Sequence, residues 1–553
     1  MLRALSVLLL VLTACGAGDD AAGSFSDVGL WQDAVADTTA DTSSPTEVGT
    51  PDGTDAPDTV ADTAPPPPPE DEVDFDLRTP EAGATFLYIP SAALDALVIV
   101  DARDLTVHLV EVGLAPTIVR ALPGDGGAVV LDEGSSEISI VRPRSAVGGI
   151  APDPAFSVET IPVVPGANRL VLSPDGAVAF VFFATTRSGA TTGSLQDVTA
   201  VRLDRPAVAY NLAVGFRPEE VVFADQDRLA LIVCEDGLSG MRLADLTRDV
   251  FLPPVPTSPD PFEAPLDREL APTPDGRFVL VRNLNRMALG RVDLQTGALA
   301  LIPLPDYPSD LDLSADGATA VVPLRAAQSA AVIDVTRAFD WVAPPPADPP
   351  ADPPATNPHV RFAPTGAAFG SAVITADEAH ALLYTTTAAV RAVGMLDLAS
   401  ASAVIAPLVK ELSAVVPSPD GAMAVLVHRR ASGDGDLYNR EAYSLLDLAS
   451  GYTKLVVTTH AVTDVVFTND AAELFTLVPD PLGATHEVQR VDAGSFHVRS
   501  YPVPDRPVFV GALPALDKVA IALDNPTGWV TFVDTVTGRL QQLNSFELNS
   551  FIE

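Results

Sequence analysis

Arg169-Leu170-Val171-Leu172-Ser173-Pro174-Asp175-Gly176-Ala177-Val178-Ala179-Phe180-Val181-Phe182 is two apolar runs folded about a four-residue turn. Proline presets φ for the second position of a type I turn, serine opens such turns through its hydroxyl, and glycine takes the position where φ turns positive. The flanking runs are rich in β-branched and aromatic residues and lack helical spacing, so the stretch predicts a β-hairpin. The turn returns as Thr273-Pro274-Asp275-Gly276, Ser314-Ala315-Asp316-Gly317 and Ser418-Pro419-Asp420-Gly421, with looser copies at 124–127, 224–227, 375–378, 468–471 and 514–518. Recurrence at about fifty residues marks a repeat architecture.

A second element follows each turn: a strand ending in aspartate, a polar turn, and another strand. Its copies end at Asp101, Asp204, Asp293, Asp334, Asp397, Asp447, Asp492 and Asp534, and two of them read Asp293-Leu294-Gln295-Thr296-Gly297 and Asp534-Thr535-Val536-Thr537-Gly538. Four strands A, B, C and D per unit result, with the Pro-Asp-Gly turn at A/B and the aspartate turn at C/D, which is a propeller blade. The chain therefore reads as all-β, with about eight to ten four-stranded antiparallel blades in a single closed ring. The opening unit, Thr85 to Gly113, shows B, C and D strands without an A strand. The strand-like tail 547–553 would supply it and close the ring, removing open sheet edges. Units packed outside the ring, or two smaller rings, are the alternatives.

The two turns resemble those of the YVTN and WD40-like Pro-Asp repeat propellers, over roughly residues 80 to 553 and at the level of repeat grammar. That resemblance implies the fold. Activity does not follow from it, because such propellers host lactonases, quinoproteins, electron carriers and plain binding modules. No catalytic signature of the family maps onto positions here. The recurring aspartates read as turn-forming side chains, with acid/base or metal carboxylates as the alternative.

Arg3, the apolar run Ala4 to Leu12 and Leu12-Thr13-Ala14-Cys15 make residues 1–14 a secretory signal too short to span a bilayer. Leu-Thr-Ala-Cys resembles the lipobox of bacterial lipoproteins, which implies lipidation of Cys15, anchorage to the membrane and, with Gly16 next, an outer-membrane address. An ordinary signal peptide is the alternative. Residues 15–78 form the lipidated cysteine and a tether: from Gly16 to Arg78 sixteen Asp and Glu face Arg78 alone, and Pro65 to Pro69 precede Glu70. Such a segment cannot bury enough apolar surface to offset its ordering entropy. As a coil it spans about 45 Å, more with a polyproline stretch. Residues 79–553 are the propeller domain.

The net charge of −40 makes nucleic acid an improbable partner, since its binding rests on Lys and Arg neutralising phosphates. After Cys15 only Cys234 remains, which excludes disulfides, a cysteine zinc site and Cys-x-x-Cys-His haem attachment. The seven histidines are scattered, and neither His-Glu-x-x-His, Gly-x-Ser-x-Gly nor a phosphate loop occurs.

Loop length carries the functional signal. From the A/B aspartate to the one ending strand C the spacing is 18 for Asp275 to Asp293 and for Asp316 to Asp334, but 29 for Asp175 to Asp204 and 27 for Asp420 to Asp447. The extra residues lie between B and C. Antiparallel order puts B/C and D/A connections on one face, so 186–193, 429–441, 479–486 and 253–267 rise from one rim. The second of these, with Arg429, Arg430, Asp434, Asp436, Tyr438, Arg440 and Glu441, is the candidate binding loop. Asp434-x-Asp436 resembles part of a calcium loop, but Tyr438 stands where a third oxygen ligand belongs, so calcium is a weak alternative and no cofactor is predicted. A proline-rich insertion at 344–354 extends a C/D turn on the opposite face. These observations predict a lipid-anchored, envelope-exposed, non-catalytic binding or scaffold module with a protein or cell-surface ligand. A lactonase- or quinoprotein-type enzyme with a funnel metal or cofactor, or a surface-layer component, stays open.

Overall fold

The structure, a computed structural model, describes residues 68–70, 80–145, 155–185, 193–260, 266–342, 356–387, 389–430, 437, 439–483, 485–525 and 527–545. Cys15, the tail 547–553 and most of the tether lie outside them.

Ten sheets follow one another along the chain, each a meander in which consecutive strands pair antiparallel. We number them blades 1 to 10: residues 81–111, 116–162, 169–213, 218–242, 268–303, 312–364, 371–407, 412–458, 464–503 and 507–544. Every A/B and C/D turn expected from the sequence joins the strands it was expected to join.

The B strands explain the fold's hydrophobic grammar. Met423–His428, the B strand of blade 8, is buried at all six positions, as is Leu229–Cys234, the B strand of blade 4. A strand covered on both faces reads as a continuous apolar run, not as an alternation. Ala424 and Leu426 pack toward blade 7, whereas Val425 and Val427 pack toward blade 9. Each such valine or leucine side chain stabilises the fold by roughly 1.5–3 kcal/mol on burial. The D strands instead alternate: His497–Val503 shows exposed positions at His497, Arg499, Ser500 and Pro502.

Ten hydrophobic clusters each join two neighbouring blades, and the tenth closes the ring. It brings Phe509, Leu513, Ala520, Ala522, Val530 and Phe532 of blade 10 against Leu87, Val98 and Val100 of blade 1. Ala515 N donates to Ala84 O at 3.2 Å, and Lys518 Nζ to Ala102 O at 2.5 Å, across the same seam. The expectation of a headless opening unit is corrected here. Blade 1 has its own A strand, Glu81–Ala82, pairing Glu81 with Tyr88 and Ala82 with Leu87. Closure is therefore by packing of two complete sheets.

Blade 4 departs from the repeat. After its C strand Gly237–Arg242, the chain runs outward to Val250–Phe251, which pairs parallel with the D strand Val208–Ala213 of blade 3. It then returns for a single bridge, Leu238 to Val255, where a D strand would lie. Blade 6 carries a one-turn helix, Val335–Ala338, after its C strand; the insertion 343–355 is outside the described residues but falls in this C/D connection.

Innermost A strands would leave backbone N–H groups without a ladder, and carboxylates fill the gap. Glu81 Oε1 accepts from Ala121 N at 2.9 Å, Glu269 Oε2 from Leu311 N at 2.9 Å, Asp310 Oδ2 from Ala372 N at 2.6 Å, and Asp312 Oδ2 from Ile374 N at 2.5 Å. Each bond runs from one blade to the next. Burial pushes the Asp310 carboxyl up and that of Asp312 up to about 7, against the hydrogen bonds that favour their ionised forms. Arg282 lies among them, 2.7 Å from Asp267 and 3.1 Å from Glu269.

Candidate functional site

The two faces of the ring differ in kind. On the A/B and C/D face the turns are closed by their own side chains. Ser173 Oγ donates to Asp175 Oδ1 at 2.6 Å, Ala177 N donates to the same oxygen at 2.9 Å, and Val178 N donates back to Ser173 Oγ at 2.9 Å. The hydroxyl-to-carboxylate bond repeats at Thr273/Asp275, Ser314/Asp316, Thr375/Asp377, Ser418/Asp420 and Thr468/Asp470. Hydrogen bonds from Ser314 and from the Ala318 N–H hold the Asp316 carboxyl below the usual carboxylate range. At C/D, Thr537 N donates to Asp534 Oδ1 at 2.7 Å while Gly538, at φ +71°, closes the turn. In each of these carboxylates Oδ1 is committed to the turn's own backbone N–H, and at A/B to its hydroxyl as well, as in turn formers.

The opposite rim carries the long connections. Among its described residues, charged groups of blades 7 and 8 and of the connection between them converge. Arg429, just beyond the B strand of blade 8, donates through Nε to Glu411 Oε2 at 2.9 Å and through Nη1 to Thr386 O of blade 7 at 2.5 Å. Arg391 Nε stands 3.9 Å from the other oxygen of Glu411. Lys410 is buried, which depresses its pKa against the attraction of Glu441 and Glu411, and its ammonium reaches Leu437 O at 3.3 Å.

Beneath this cluster His428 is buried on the B strand. A carbonyl only accepts, so the 3.2 Å contact of Nδ1 with Glu411 O puts the proton on Nδ1, and Nε2 accepts from Ser444 Oγ at 2.7 Å. Burial lowers its pKa to about 4, keeping the ring neutral.

Of the loop singled out in the sequence, Arg429 is thus an inter-blade tie, Arg430 and Arg440 are exposed, and Glu441 opens the C strand Glu441–Asp447. Asp434, Asp436 and Tyr438 lie outside the described residues, as does Cys15. Among the described residues no group of three His, Cys, Asp or Glu is placed to hold a metal ion. The loop 479–486 closes on itself: Asp480 accepts from Leu482 N at 2.8 Å and Thr485 N at 2.9 Å, and His486 Nδ1 accepts from Asp480 N. Cys234 is buried with its thiol pushed up to about 12 by burial, which leaves it a packing residue.

Sequence reading missed the part of the rim with the densest hydrogen bonding. Thr385, Thr386 and Thr387, in the B/C connection of blade 7, and Arg325, in that of blade 6, surround the carboxylate of Glu70. The run of three threonines at the end of a B strand was the available signal.

No known family model and no curated protein sequence matches the chain. Solved structures do. It is similar to a structure described as the eukaryotic initiation factor, at 11% identity over 74% of this chain and 94% of that one with a TM-score of 0.48. It is similar to the dihydro-heme d1 dehydrogenase NirN, at 16% identity over 63% and 71% with a TM-score of 0.38. A third likeness is to the Kuenenia stuttgartiensis hydrazine synthase, at 18% identity over 48% and 76% with a TM-score of 0.31.

Proposed function

We propose that this chain is a non-catalytic binding or scaffold module of the cell envelope, held at the outer membrane through a lipid on Cys15 and meeting a protein or cell-surface ligand with its B/C and D/A rim. The observation that carries the reading is the asymmetry of the two faces. One consists of turns whose polar groups are engaged locally, whereas the other gathers long connections and charged side chains from consecutive blades on a rigid base, which is where binding concentrates on such scaffolds. The acidic tether, with its polyproline stretch, gives the ring reach from the membrane surface.

Two experiments test this. Replacing 430–440 by a tight hairpin keeps Arg429 and the fold, since surface-loop length costs little, and is expected to reduce recovery of the envelope partner that the intact protein captures. Equal recovery from both proteins would remove the loop from the reading. Cys15→Ser is expected to leave the membrane fraction, and retention there would overturn the anchor. A stoichiometric metal or quinone in the purified soluble protein would instead favour the enzyme alternative.

A further inference from the structure

Residues 68–70 lie on the rim between blades 6 and 7. The Glu70 side chain is only 4% exposed and that of Arg325 8%. An ionised carboxylate so removed from water is tolerated only where charge and hydrogen bonds replace hydration. Both are present. Glu70 Oε2 accepts from Thr386 N at 2.6 Å, Thr386 Oγ1 at 2.7 Å, Thr385 Oγ1 at 3.1 Å and Thr387 N at 3.2 Å. Oε1 accepts from Thr385 Oγ1 at 3.0 Å and Thr387 Oγ1 at 3.3 Å, and forms the ion pair with Arg325 Nη2. Arg325 Nη1 also donates to Pro68 O at 2.8 Å. The same guanidinium thus reads a side chain and the backbone carbonyl two residues before it.

The pocket is shaped for this group. A Cβ added at Gly370 would stand 1.7 Å from Glu70 Oε1, 2.6 Å from Glu70 Cδ and 2.7 Å from Arg325 Nε, its nearest neighbours. Gly370 does not have a positive φ, so its backbone would accept a side chain. What it leaves room for is the carboxylate. In the sequence Glu70 follows the run Pro65 to Pro69; a polyproline helix makes no internal hydrogen bonds, so a carbonyl such as that of Pro68 can be read by a neighbouring donor, here Arg325 Nη1.

We infer that this pocket is a carboxylate-binding site for a glutamate preceded by an extended proline-rich segment, and that Glu70 is its ligand within the chain. The inference rests on the rim being the binding face and assigns that face a ligand chemistry: an acidic, proline-flanked peptide. A second such peptide has access only when the tether is displaced. Because a tethered ligand acts at an effective concentration of roughly millimolar, the native chain holds its own site closed against weaker competitors.

The test uses the full chain carrying Cys15→Ser, with and without Glu70→Ala, and a labelled, C-terminally amidated peptide Pro-Pro-Pro-Pro-Pro-Glu together with its glutamine counterpart. The Glu70→Ala chain is expected to bind the glutamate peptide at least about tenfold more tightly than the glutamine peptide, and at least about tenfold more tightly than the chain retaining Glu70 does. Adding Gly370→Ala should abolish that binding while leaving the melting transition in place. Lack of binding by the Glu70→Ala chain up to millimolar peptide, equal binding of the two peptides, or equal binding by both chains would each overturn the inference. Proteolysis gives a second readout: glutamyl endopeptidase should spare the bond after Glu70 in the otherwise native chain and cut it once Gly370→Ala is introduced. Cutting at equal rates in both would refute the seat of Glu70. Failure of the peptide experiment with partner recovery still dependent on 430–440 removes the pocket and keeps the rim; the converse removes the loop and keeps the pocket.

Discussion

Acidification should strike blade 8 first, through His428. Its imidazole is buried, donates from Nδ1 to Glu411 O and accepts at Nε2 from Ser444, and its pKa falls from 6.5 to about 4 because burial disfavours the charged ring. With the folded-state pKa depressed, the ring is neutral in both states above 6.5 and makes no difference there. As pH falls below that value the unfolded chain takes up a proton that the folded chain does not, and stability declines until the folded ring itself protonates. Between about pH 7.5 and about pH 4.5 the loss is about 2.5 kcal/mol from this group, at 1.36 kcal/mol per unit. His428→Gln can keep both hydrogen bonds, amide to Glu411 O and carbonyl from Ser444, without a titrating group. Denaturant unfolding of both proteins at the two pH values isolates the term, since every other acid-sensitive group is shared. The variant should lie within about 1 kcal/mol of the native protein at the higher pH and gain about 2.5 kcal/mol on it at the lower. Parallel pH dependences would refute the buried neutral ring, and with it the Glu411 register that positions Arg429.

Three further outcomes follow from the packing. Arg282→Leu strands Asp267, Glu269 and Asp310 without their counter-charge, so it should cost about 3–5 kcal/mol near neutral pH and recover part of that on acidification, as the Asp310 carboxyl, whose folded pKa burial raises, binds its proton before the unfolded chain does; unfolding curves against pH read both. Gly127 has φ +111°, and a Cβ there would meet Val141 O at 1.9 Å, so Gly127→Ala should lower stability by more than about 2 kcal/mol, measured by thermal melting. If closure is a full blade interface, Leu513→Ala at the seam should cost about 2–5 kcal/mol, matching Leu426→Ala between blades 7 and 8; a neutral Leu513→Ala would mean that the seam does not bear load.

Blade identity was legible because each turn solves its hydrogen bonds within six residues. Ser173, Asp175 and Gly176 need nothing from outside the hairpin, so their spacing alone declares it, and the buried B strands follow as apolar runs. Closure was misread because the first A strand is two residues long. Glu81–Ala82 carries no apolar run, and Glu81 is there to pair with Arg120 and to accept the Ala121 N–H, a requirement set by blade 2. The same holds for Asp310 and Asp312, which in sequence look like acidic loop residues and in the ring serve the A strand of blade 7.

The rim pocket shows most clearly why a ring hides its sites. Arg325, Gly370 and Thr385 to Thr387 come from the loops of two blades, and Glu70 enters from a segment more than two hundred residues earlier in the chain. Local chemistry at each place is ordinary: an arginine after a strand, a glycine before one, threonines in a loop, a glutamate behind prolines. Only the meeting of blades 6 and 7 makes the arginine a buried cation and the glycine a vacancy of carboxylate size. Loop length singles out the B/C and D/A face, because extra backbone must rise where those connections rise. It does not reveal the pocket around Glu70, because Arg325 and Thr385 to Thr387 come from B/C connections of two different blades and meet only in the ring.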